Sequence, residues 1–253
     1  ETKGVDNSWN RTECFLSANG TWDFTKQAGQ RWFMEAARRR GMNNFLFFTN
    51  SAPYFMTRSG ATVAADSKCV NLREDKFDDF ARFLVTCAKH FRKKGYGVNY
   101  ISPLNEPNGE WHSNSFQEGT FATKADIFRM VKELDKAIED EKLNTKIIIP
   151  EIGEMKYLFE IDKNERVPDD IIHSMFYENG KYSVLGMKNL YNCVAAHDYW
   201  TAYPAELLVD MRNRVHEAIS KNGHDTKFWA SEYCILEKNE EITMPPSPTK
   251  SIN

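Results

Sequence analysis

The stretch DKFDDFARFLVTCAKHFRKKGYGVNYISPLNEP, residues 75–107, reads as a helix, a break, a buried strand and a polar strand end. Phe77, Phe80, Ala81, Leu84, Ala88 and Phe91 recur at three- and four-residue spacing, so they line one face of a helix over 75–94. Gly95 follows the basic last turn, where helices stop. Val98 to Ile101 is then a short apolar strand, and it runs straight into Asn105, Glu106 and Pro107. An apolar helix face followed by an apolar strand is half of a crossover unit, because each element needs the other to cover it.

Working outward, the same unit recurs. A helix is predicted from about Phe24 to Arg40, then Gly41 and the apolar strand Phe45 to Phe48. Beyond Pro107, a helix over Lys124 to Lys142 turns Ile127, Met130, Val131, Leu134 and Ile138 inward and leads to the strand Lys146 to Pro150. A helix over Asp169 to Tyr177 precedes the strand Cys193 to Ala196, and a helix over Pro204 to Lys221 precedes Lys227 to Ser231. Helices that alternate with short, nearly all-apolar strands predict an α/β protein with a parallel sheet, and a closed barrel and an open sheet both fit. We read residues 1–242 as one domain and 243–253, with Pro245, Pro246 and Pro248, as an irregular C-terminal tail.

Composition sets the outer bounds. The 253 residues are 41% hydrophobic and 27% charged, which is ordinary for a globular chain, and no run is apolar enough to predict membrane insertion. A net charge of -3 with scattered basic residues gives no footprint for nucleic acid. Arg38, Arg39 and Arg40 close the first helix, where cations suit the negative end of its dipole. The five cysteines are widely spaced and form no CxxC, so neither a disulfide scaffold nor a zinc site is expected. Aromatics reach 13%, enough to supply stacking surfaces as well as core.

In parallel α/β folds the reactive side chains gather at the C-terminal ends of strands. Those ends read Asn50-Ser51-Ala52-Pro53, Asn105-Glu106-Pro107, Glu151, His197-Asp198-Tyr199-Trp200 and Ser231-Glu232-Tyr233. Glu106 and Glu232 each stand at a strand end, so if both strands lie in one sheet the two carboxyls face one cavity. Hydrolysis of a glycosidic bond needs such a pair, one to protonate the leaving oxygen and one to attack the anomeric carbon. The plainer alternatives stay open at this level. An acid at a strand end is often a helix N-cap or an ion-pair partner, His197 could be a satisfied core histidine, and Trp111 or Trp200 could be packing residues. Glu151 reads as a substrate ligand or a salt-bridge partner and stays outside the catalytic set.

These motifs resemble those of glycoside hydrolase family 30, within the retaining clan of (β/α)8 TIM-barrel glycosidases, and most of all its endo-β-1,6-galactanase-like branch. The similarity runs from about Cys14 to Glu241 and rests on Asn105-Glu106-Pro107, Ser231-Glu232-Tyr233, and His197 with Tyr199. QAGQRWF (27–33), FTNSAPYFMT (48–57) and FQEGTF (116–121) add context. The resemblance implies an incomplete barrel showing about the third to seventh strands, with two strands before it and an eighth strand and a β-sandwich after it. It implies Glu106 as general acid/base and Glu232 as nucleophile. It further implies Asn105 on the sugar 2-hydroxyl, Tyr199 orienting Glu232, and Asn50, Trp111, His197 and Trp200 among the substrate-binding residues.

The expected function is therefore a retaining, endo-acting hydrolase of a β-linked polysaccharide, with β-1,6-galactan favoured, working outside the cytoplasm or in the periplasm. Its partner is the glycan, and it needs no cofactor and no metal. The alternative is a catalytically impaired glycosidase that only binds carbohydrate. A phosphate- or metal-dependent barrel enzyme fits less well, since the chain has no GxxxxGK[ST], HExxH or Gly-rich dinucleotide turn.

Overall fold

The computed structural model describes residues 2–161, 169–201 and 204–233. Five strands, β1 (Phe45–Phe48), β2 (Val98–Ser102), β3 (Lys146–Ile152), β4 (Leu190–His197) and β5 (Lys227–Glu232), form one sheet in unbroken sequential order. Every neighbouring pair is parallel. The helices are α1 (Ala28–Arg39), α2 (Phe77–Lys93), α3 (Lys124–Asp140), α4 (Ile171–Phe176) and α5 (Ala205–Ser220). The tail over 243–253 and Cys234 lie outside the described residues.

The two faces of the sheet decide between barrel and open sheet. Ile101, Ile147, Ile149, Val194 and Ala196 join the large core that includes Phe77, Phe80, Ile127, Leu134, Met175 and Val215 of the helices. Among the described residues, the hydrophobic cluster on the other face is built from strand residues: Ile148, Cys193 and Ala195, packed with Leu46, Tyr100, Tyr191 and Trp229. A doubly wound sheet reverses its strand order and carries helices on both faces. Unbroken order with helices on one face is instead an arc of a (β/α) barrel, curled about an interior of side chains. That interior is aromatic, with Tyr100, Tyr191 and Trp229 packed edge-on or tilted at 5.1–5.5 Å between ring centres.

Local causes explain where elements start and stop. α1 begins four residues after the expected Phe24, because Phe24 stacks on His90 and Trp22, which holds the chain out of the helix until Gln27 turns with φ 55°. Arg38 and Arg39 at the end of α1 pair with Glu35 at 3.0 and 2.8 Å, while Arg40 donates to the Ala36 carbonyl. α3 begins with a capping box between Thr123 and Asp126. β4 starts three residues earlier than Cys193, since Tyr191 already faces the barrel interior. Strand alternation then sends Tyr191, Cys193, Ala195 and His197 to that same interior face.

Candidate active site

Three strand ends converge on one imidazole. His197 closes β4 and is 0% exposed. Its Nδ1 lies 3.0 Å from Glu106 Oε1, and its Nε2 lies 3.6 Å from Glu151 Oε2 and 3.7 Å from Glu232 Oε1. One atom each from Glu106, His197 and Glu232 fall within 4.8 Å of one another, so the two carboxyls confront each other across a short gap. The Tyr199 hydroxyl donates to Glu232 Oε2 at 2.5 Å.

The turn that carries Glu106 is stitched at its backbone. Glu106 adopts φ 44°, in the left-handed region that side chains avoid, and such strain persists only where neighbours hold it. Its amide donates to the Glu151 carbonyl at 2.9 Å, and its own carbonyl accepts from the Gly109 amide at 2.8 Å. The Trp111 indole N–H donates to that same carbonyl at 2.9 Å. Asn108 Oδ1 accepts from the Gly153 amide at 2.9 Å, which ties the loop after β2 to the end of β3. At Gly153 a Cβ would come 3.3 Å from the Glu106 side chain, so glycine gives that side chain its space.

Electrostatics follow from this crowding. Burial opposes a charge on His197, but Glu106, Glu151 and Glu232 together outweigh it and hold the imidazole up at about 9. His197 is then charged at neutral pH. By donor type the Glu106, His197 and Glu232 set could take a divalent ion only in exchange for the imidazole proton. Asp198 is buried beside His197; burial raises its value, while Arg212 of α5 pairs with it and pulls the other way.

The expected site residues fall in different places. Glu106, Glu232, His197 and Tyr199 come together as described. Asn105 is 3% exposed, and its Oδ1 has no hydrogen-bond partner among the described residues. Trp111 is 6% exposed, with its ring against Gly109 and Gly119, so it braces the Glu106 turn from within. Trp200 is 56% exposed at the rim, with φ 61°. Asn50 follows β1 and lines a cavity of about 520 Å³ with Glu13, Phe47 and Ser51, none of whose lining is a site carboxyl. The residues that sequence reasoning left aside are Glu151 and Ser231, whose hydroxyl donates to Glu151 Oε2. Glu151 gave a modest signal, an acid at the end of an apolar strand, and Ser231 gave none beyond its place beside Glu232.

Parallel strands that deliver facing carboxyls to the C-terminal rim of a curled sheet define a (β/α)-barrel protein with a two-carboxyl site. The chain belongs to O-glycosyl hydrolase family 30, whose family model matches residues 1–252. A crystal structure of a conserved exported protein from Bacteroides fragilis is 75% identical, with TM-score 0.92, over 98% of this chain and 50% of that one. An exo-beta-1,6-galactobiohydrolase of Bifidobacterium longum subsp. longum is 33% identical over 89 residues, which is 34% of this chain and 6% of that protein. SrfJ from Salmonella typhimurium shares the fold at TM-score 0.64 and 17% identity, over 95% of this chain and 48% of that one. The chain thus spans half the length or less of each of these relatives.

Proposed function

We propose that this chain carries the catalytic pair of a retaining glycoside hydrolase acting on a β-linked polysaccharide, with β-1,6-galactan as the first substrate to try. The observation that carries this reading is the short gap between Glu106 and Glu232, whose facing oxygens lie within 4.8 Å. Retaining glycosidases hold their carboxyl groups about 5–5.5 Å apart, whereas inverting ones leave room for a water between them.

In the first step Glu106 gives its proton to the glycosidic oxygen while Glu232 attacks the anomeric carbon, so the sugar becomes an ester of Glu232 and the leaving chain departs as an alcohol. In the second, Glu106 takes a proton from water, whose oxygen displaces Glu232 at the same carbon with net retention. Tyr199 aims one Glu232 oxygen by its hydrogen bond and leaves Oε1 to attack. Asn105, buried with a free Oδ1, suits a sugar hydroxyl. The exposed Trp200 ring offers the apolar face on which a pyranose stacks, while the buried Trp111 serves the site through the Glu106 turn and Asn50 lines the cavity after β1.

The preference for β-1,6-galactan is supported by the name of the Bifidobacterium relative, and placement outside the cytoplasm by the exported Bacteroides protein. Among the described residues no helix is long and apolar enough to cross a membrane. The test is a screen of β-1,6-galactan, xylan and β-1,6-glucan with Glu106→Gln and Glu232→Gln, following the anomeric product by NMR. Products of several lengths mark endo cleavage, and disaccharide alone marks exo cleavage. Near wild-type turnover by either variant, or a product of inverted configuration, overturns the reading.

A further inference from the structure

Glu151 is wholly buried at the end of β3, and one of its oxygens accepts from Ser231 while the other finds no partner among the described residues. A carboxyl so placed is costly unless a cation stands near it. His197 is that cation, with Nε2 at 3.6 Å. The other groups facing His197 are Glu106 from the β2 turn, Glu232 from β5, the Tyr199 ring at 5.2 Å, Phe48 of β1 at 6.4 Å, and Asp198, which is paired with Arg212 of α5.

On the double-displacement reading, both catalytic carboxyls change charge during turnover. Glu232 becomes neutral when it is esterified, and Glu106 alternates between acid and base. Once Glu232 is esterified, His197 Nδ1 and the newly ionised Glu106 Oε1 are a hydrogen-bonded ion pair in a buried place. Moving the proton from Nδ1 to Oε1 would leave both groups neutral, which burial favours. It would also leave Glu106 unable to take a proton from water.

We propose that Glu151 is a positioning residue that keeps His197 an imidazolium through the covalent intermediate, so that Glu106 stays ionised for the second step. Ser231 holds the carboxyl in place for this task. The catalytic consequence rests on the hydrolase reading above; the hold on the His197 proton does not.

Two measurements separate these. In the first, 15N-histidine NMR follows the His197 titration in the wild-type chain, Glu151→Gln and Ser231→Ala, with the resonance assigned by its loss in His197→Gln. The wild-type imidazole is expected to stay charged to about 9. In Glu151→Gln it loses its proton about one pH unit lower or more, a tenfold change in proton affinity. Ser231→Ala, which keeps the carboxyl and is milder on folding, moves it the same way by less. An unmoved titration in both variants overturns the proposal, whether or not any glycan is hydrolysed.

In the second, Glu151→Gln is assayed on an aryl β-glycoside. A slowed second step lowers kcat and KM by a common factor, roughly tenfold, and produces a burst of aryl alcohol. A fall in kcat with KM unchanged and no burst overturns the catalytic role, since a merely loosened site would behave that way.

Discussion

Besides His197, two single atoms hold the facing carboxyls: the Tyr199 hydroxyl on Glu232 and the Trp111 indole nitrogen on the Glu106 backbone. A hydrogen bond to a charged group is worth about 1.5–3 kcal/mol. Tyr199→Phe is therefore expected to lower kcat by roughly ten- to a hundredfold, measured on whichever β-glycan the wild-type chain cleaves. Trp111 acts through packing as well. A Cβ at Gly119 would come 2.3 Å from its ring, so Gly119→Ala must displace the indole that anchors Glu106. Overpacking of this kind costs about 1–3 kcal/mol, and urea unfolding should show the loss together with reduced turnover.

At the scale of elements, α3 shows how a crossover is specified, with its capping box at the start and six buried side chains along one face. Thr123→Ala removes the side-chain acceptor for the Asp126 amide and is expected to cost about 1 kcal/mol, read from the urea midpoint, without touching the site. The elements were legible because periodicity and end signals agreed: α3, for example, runs Lys124–Asp140 against an expected end at Lys142. Where they disagreed, tertiary contacts decided. Phe24 fits a helical pattern by spacing, yet its ring stacks on His90 of α2 instead. Asp169 fits the start of α4, but its side chain and carbonyl take Lys124 of α3, and the helix begins at Ile171.

For the whole molecule, the buried His197 links stability to pH. Its folded value is held at about 9, above the 6.5 of a free imidazole, so the folded state binds the extra proton between those limits. The stabilisation is complete below about 6.5 and is lost as pH rises through 9. Urea midpoints of the wild-type chain should fall across this window, and those of His197→Gln should fall less; equal slopes would show that the imidazole is not held charged. The buried Cys193 thiol, pushed up to about 12 by burial, adds a loss of the same sign only above the ordinary thiol range near 9.

Apolar spacing and helix end signals, which are local properties of the chain, determined the order of helices and strands and placed Glu106 and Glu232 at strand ends. That the strands form one arc in sequential order, with helices on a single face, required the sheet itself, because pattern alone suits an open sheet equally well. Only folding brought Glu151 and Ser231 to His197. Burial, the three converging carboxyls and the charge they impose on one imidazole depend on distances between residues far apart in sequence, and spacing along a chain does not encode such distances.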